Sequence, residues 1–150
     1  MLKNTIKLSA AVAALLASGI VFAKTAQPLA IEANAMKWKP LPSYPTLKYT
    51  VLTGDPTSND FFVIRLKLPK DYTDIIHEHE LMRYDTIISG ALYVGFGNVR
   101  DIKKTKKLTA GSFIACPPGV PHYGITKQET VVQIAGKGPW KALKTAGFNR

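Results

Sequence analysis

The chain has 150 residues, 46% of them hydrophobic, with 20 Lys and Arg against 10 Asp and Glu and a formal net charge of +10. That length holds one domain with a sizeable core and leaves little room for a second, and the single cysteine, Cys116, excludes an internal disulfide, so stability has to come from burial. The basic excess is scattered apart from Lys103, Lys104, Lys106 and Lys107, which lie between two strand-like segments without interleaved aromatics; a solvated loop or hairpin fits them, and nucleic acid is not an expected partner.

At the N-terminus, Lys3 and Lys7 precede an apolar run from Leu8 to Leu16, and Val21-Phe22-Ala23 puts small or permissible residues where a signal peptidase reads. Residues 1–23 are therefore read as a secretory signal peptide cut after Ala23, the run being short for a bilayer span and interrupted near its end by Gly19. Loss of the two lysines lowers the formal charge from +10 to +8. No other window is apolar enough to span a membrane, so the mature protein is expected to be periplasmic or secreted.

Residues 24–46 carry Pro28, Pro40, Pro42 and Pro45, which bar a long helix or a central strand, and read as an extended arm. Its Trp38 and Tyr44 are free to pack on the domain or on a dimer partner. From residue 47 to 150 the pattern changes to short apolar runs bounded by Gly, Pro, Asp and Asn, the mark of many short strands. Strands are predicted over Lys48–Thr53, Phe61–Leu68, Tyr72–His79, Tyr84–Ile88 and Ala91–Phe96. In the second, Phe62, Ile64, Leu66 and Leu68 take one face and Arg65 and Lys67 the other. Ser89-Gly90 reads as the tight turn of a hairpin joining the fourth and fifth. Further strands follow over Lys107–Thr109, Phe113–Cys116, His122–Thr126 and Thr130–Ala135, and Trp140 reads as an anchor for the Gly- and Lys-rich tail. With no convincing long helix, the pattern argues for an all-β antiparallel sandwich or barrel; a closed jelly roll removes exposed edges and leaves an interior for a small ligand.

All three histidines fall in two short segments, His77-Glu78-His79 and Pro117-Pro118-Gly119-Val120-Pro121-His122. Two histidines one residue apart on a strand project from one face, and a third from a distant strand completes a set of nitrogens for one ion. Cys116, beside Pro117, reads as a small buried hydrophobe, with a reactive thiol as the alternative. Tyr84 and Tyr123 have the opposite parity to Arg83 and His122 and read as packing residues.

Two longer stretches resemble the paired motifs of the cupin superfamily. The first is His-x-His, three residues, an acidic ligand, six residues and Gly, which runs here from His77 to Gly90; the second is Gly, five residues and Pro-x-Gly-x-x-His, here Gly111 and Pro117 to His122. The resemblance covers roughly Leu47 to Ala135, and the ends are similar to small exported cupins related to the cupin half of bacterial anti-sigma factors. It implies a jelly-roll β-barrel, dimerisation through outer strands to a homodimer, and a divalent transition metal (Fe, Zn, Ni, Mn or Cu) on His77, His79 and His122. The fourth ligand position departs from the pattern. Where the family has Glu, this chain has Arg83, which has no lone pair to donate.

Three outcomes are open for Arg83: a substrate-binding fork beside a three-histidine metal, a charge that weakens metal binding and leaves an anion pocket, or a structural partner of Asp85 or Glu80. Asp85 has the right parity to replace the missing Glu but lies about 7 Å further along the strand at ~3.4 Å per residue. Glu78 has the wrong parity, and Glu80 serves only from a flexible turn. The leading expectation is a metal-dependent oxidoreductase, dioxygenase-like, acting on a small anionic organic substrate. The alternative is a non-catalytic periplasmic module that binds or senses a metal or small ligand.

Overall fold

The computed structural model describes residues 27–141 with 143 and 144, so the expected signal segment lies outside the described residues. Nearly all regular structure is β. The strands are β1 (Lys39–Leu41), β2 (Tyr44–Thr53), β3 (Phe61–Leu68), β4 (His77–Glu78), β5 (Arg83–Ser89), β6 (Ala91–Phe96), β7 (Lys106–Thr109), β8 (Phe113–Cys116), β9 (His122–Thr126), β10 (Thr130–Lys137) and β11 (Leu143–Lys144). They pair antiparallel into a six-stranded sheet, β1-β2-β3-β10-β5-β8, and a five-stranded sheet, β11-β4-β9-β6-β7. This is an antiparallel jelly roll, as the strand pattern predicts.

The period-two alternation of the sequence sets which face is buried. Along β3, Phe62, Ile64 and Leu68 are buried while Phe61 is exposed and Arg65 and Lys67 are half-buried on the other face. They join Leu47, Ile87, Ile114, Val132 and Ile134 of the same sheet, and Leu92 and Val94 of the other, in one core. Each such side chain removed from water contributes about 1.5–3 kcal/mol. Trp140 closes the core from the C-terminal side, its ring 6.5 Å from that of Phe62 and its backbone N–H donating to Pro56 O at 2.7 Å. The arm residue Trp38 lies outside, under Lys67 Nζ at 4.7 Å, whereas Tyr44 turns inward to the core.

Two strand expectations are corrected. Of the strand expected over Tyr72–His79, only His77–Glu78 pairs regularly. Tyr72 to Asp74 instead runs beside β9 through isolated bonds, including Tyr72 N–H to Thr126 Oγ1 and Asp74 N–H to Gly124 O, because a side-chain hydroxyl takes one ladder position. The turn at Ser89-Gly90 exists, with Gly90 at φ 78°, but it closes no hairpin: it carries the chain from β5 in one sheet to β6 in the other. Only glycine fits there, since a Cβ would lie 2.5 Å from Glu129 O. The lysine cluster forms the expected solvated connection, a 3-10 turn over Ile102–Lys104 leading into β7, which pairs with β6.

Candidate metal centre

The five-stranded sheet supplies the histidines. His77 on β4 is the register partner of His122 on β9, and His79 follows β4 by one residue. The strand ends at Glu78, yet the three imidazoles converge, with ring centroids 4.5, 4.9 and 5.2 Å apart and all three residues buried. One ring nitrogen from each lies within 4.8 Å of the others, a grouping that can hold a metal ion.

The tautomers follow from the backbone. His77 Nδ1 donates to Ile75 O at 3.0 Å, His79 Nδ1 to Lys141 O at 2.7 Å and His122 Nδ1 to Val120 O at 2.9 Å. A carbonyl only accepts, so each imidazole carries its proton on Nδ1 and keeps a lone pair on Nε2. Outer carbonyls of this kind orient histidines that ligate metals. Burial pushes His79 down to about 3, helped by the Arg83 charge, and His122 down to about 4, so both rings stay neutral near pH 7. The Nε2 of His79 is buried with no hydrogen-bond partner among the described residues. An unpaired buried acceptor is costly, and a metal ion would satisfy it. The donor set therefore fits a borderline divalent transition metal.

The six-stranded sheet supplies an ion pair. Arg83 Nη2 donates to Asp85 Oδ2 at 3.0 Å and lies 3.3 Å from His122 Nε2, to which it also donates. Of the three outcomes open for Arg83, the pairing with Asp85 is the one seen, while Glu80 is exposed and Asp85 reaches the guanidinium rather than the histidines. Burial raises the Asp85 carboxyl and Arg83 opposes that rise. Cys116 is the register partner of Arg83; burial pushes its thiol up to about 11, which makes it a packed group and not a reactive one.

A cavity of about 90 Å³ lies beside this centre. His77, His122, Arg83 and Asp85 form one wall, Leu66, Leu68, Leu92, Val94 and Ile134 much of the rest, and Tyr44, Tyr72 and Asp74 add a second polar region. Tyr72 OH donates to Asp74 Oδ1 at 3.0 Å, and Asp74 Oδ2 is 3.5 Å from His77 Nδ1. Sequence reasoning did not single out Tyr72 and Asp74; the available signal was an acid three residues before the first histidine. The two tyrosines set aside as packing residues do pack. Tyr84 stacks on Phe113 at 6.2 Å, and Tyr123 OH bonds the backbone N–H and C=O of Asp101.

No protein-family model matches the chain, and no curated protein matches it in sequence. Solved structures do match. An RmlC-like cupin from Shewanella frigidimarina superposes with a TM-score of 0.60 and 16% identity, over 77% of this chain and 94% of its own. The fold is that of the cupins. Within that fold, the polyketide cyclase RemF of Streptomyces resistomycificus gives a TM-score of 0.66 at 16% identity, over 83% of this chain and 88% of its own. A chain from the complex of Rhodobacter sphaeroides SigE with the anti-sigma ChrR gives 0.55 at 13% identity, over 71% of this chain and 52% of that chain. Such likeness concerns architecture; function has to be argued from the site.

Proposed function

We propose that this cupin binds a divalent transition metal through His77, His79 and His122 and acts on a small organic molecule held in the adjoining cavity. The supporting observation is the shared tether: three Nδ1–H groups bonded to backbone carbonyls, which leave three Nε2 lone pairs for one ion. Fe, Zn, Ni, Mn and Cu all accept imidazole. A metal with three protein ligands keeps positions open and supplies Lewis acidity or redox chemistry there. The reaction class we propose is an oxygen-dependent one of dioxygenase type. The aliphatic walls hold the body of the substrate and exclude water, and His77 is kept in orientation by Ile75 O and Asp74. Because Asp85 already balances Arg83, the cavity suits a largely apolar molecule better than a strong anion. The signal-like N-terminus supports export to the periplasm or beyond, where the chain works as a monomer or a homodimer.

Metal analysis of the purified protein beside a His77→Ala, His122→Ala variant tests the site. Near-stoichiometric metal in the parent and none in the variant is expected; equal, near-zero metal in both removes the metalloprotein reading.

One observation favours a second reading, a non-catalytic binding or sensing module: the Arg83 guanidinium already sits on His122 Nε2. Oxygen uptake by the metal-loaded protein, across a panel of small neutral and anionic organic compounds, separates the two. Turnover supports the enzyme; ligand binding without uptake supports the module.

A further inference from the structure

Arg83 lies between two cavities. It lines the larger one with His77, His122 and Asp85, and also a smaller one of about 20 Å³ with His79, Glu80, Met82, Lys137 and Trp140. On the first side its Nη2 is shared between Asp85 Oδ2 and His122 Nε2. Its Nε is buried with no hydrogen-bond partner among the described residues, and so are Asp85 Oδ1 and Trp140 Nε1. The guanidinium is thus held through Nη2, and contacts the Cys116 thiol, while its Nε is unused. Arginine offers five donors in a fixed fork, and the Nε–H is one that this attachment leaves unsatisfied.

We infer that Arg83 is an internal competitor for the metal site: its guanidinium and a metal ion contend for the single lone pair on His122 Nε2, and metal binds only when Arg83 withdraws from that nitrogen. The inference rests on the proposed three-histidine site and concerns how that site is regulated. Three observations carry it. A neutral imidazole with its proton on Nδ1 has one acceptor, and Arg83 occupies it at 3.3 Å. A divalent ion in that place would stand directly beside the guanidinium, with the Asp85 carboxylate on the far side of that cation, so like charges would be in contact. One ring nitrogen from each histidine lies within 4.8 Å of the others, so an ion held by all three would sit beside the nitrogen that Arg83 contacts. On the side away from His122 the guanidinium borders the smaller cavity, where Glu80 offers a carboxylate beside Lys137 and Lys141.

If the competent arrangement is a minor fraction, the apparent dissociation constant is the intrinsic one divided by that fraction. Removing the competitor therefore tightens binding and speeds loading. The test is zinc binding to the full chain by competition with a chromogenic chelator, with loading followed by stopped flow. Arg83→Gln is compared with the parent. Arg83→Gln, Asp85→Asn serves as a second variant that leaves no buried carboxylate without its cation, and thermal melts verify that both are folded. Zinc affinity at least tenfold higher in both variants, with a loading rate that saturates with zinc in the parent and rises linearly in the variants, is the expected result. Zinc bound equally tightly by all three proteins overturns the competitor and leaves the metal site standing. Zinc bound by none of them overturns the site and the competitor together.

Discussion

The two sheets meet at one cavity and hold their polar residues there in different ways. The five-stranded sheet presents three imidazoles, each fixed by a backbone carbonyl. The six-stranded sheet presents Arg83 and Asp85, fixed by each other. A side chain tied to the backbone moves only if the barrel moves, whereas one tied to another side chain can change partner by a rotamer change. The histidine wall is therefore the rigid half of the site and the arginine wall the adjustable half. If the proposed competition holds, that division gives Arg83, and not a histidine, control over what binds.

The contrast breaks first, and most, with pH. His79 and His122 are held near 3 and 4 in the folded protein against an ordinary 6.5, so below about pH 6.5 the unfolded chain takes up protons that the folded chain refuses. Stability falls with falling pH from about 6.5 toward 4, by about 1.4 kcal/mol per pH unit for each imidazole at full effect. Urea denaturation of metal-free protein at a series of pH values measures this. A His79→Gln, His122→Gln variant, which leaves the opposing contributions of the raised Asp74 and Asp85 in place, should flatten the dependence.

The adjustable wall is sharpened by Asp85→Asn. It leaves a buried guanidinium without its counter-charge and should cost about 3–5 kcal/mol in chemical denaturation. Trp140 covers the place where the walls meet, and Trp140→Ala should cost about 3 kcal/mol and open the cavity to an environment-sensitive dye. The smallest effect is expected away from the site, where Thr130 Oγ1 on β10 bonds the N–H and C=O of Ala91 on β6 and so links the sheets. Thr130→Val should cost about 1–3 kcal/mol by leaving those groups unpaired, without changing metal affinity.

Four strands were legible from sequence alone. Phe61–Leu68 and Phe113–Cys116 match end to end because a half-buried strand declares itself through period-two burial, and Ala91–Phe96 and His122–Thr126, buried on both faces for most of their length, match as short apolar runs bounded by turn residues. β1 and β11 were not foreseen; three- and two-residue edge strands leave no periodic signal, and Pro40 argues against pairing until a neighbour supplies the edge. The gathering of His77, His79 and His122 was legible from spacing and from the cupin-like motifs. The tethers of Nδ1 to carbonyls were not: Lys141 O reaches His79 from 62 residues away, and the local ones, Ile75 O on His77 and Val120 O on His122, depend on ring rotamers. Parity placed Asp85 on the same side as Arg83, but their pairing, and the contact of Arg83 with His122, depend on rotamers that spacing does not encode.

The most direct test of the account is a crystal structure of the zinc-loaded protein. It should show one ion bonded at about 2.1 Å to the Nε2 atoms of His77, His79 and His122, with every Nδ1 still on its carbonyl and Arg83 withdrawn from His122. An ion held through Nδ1, an ion elsewhere, or Arg83 still bonded to His122 Nε2 beside a bound ion would contradict it.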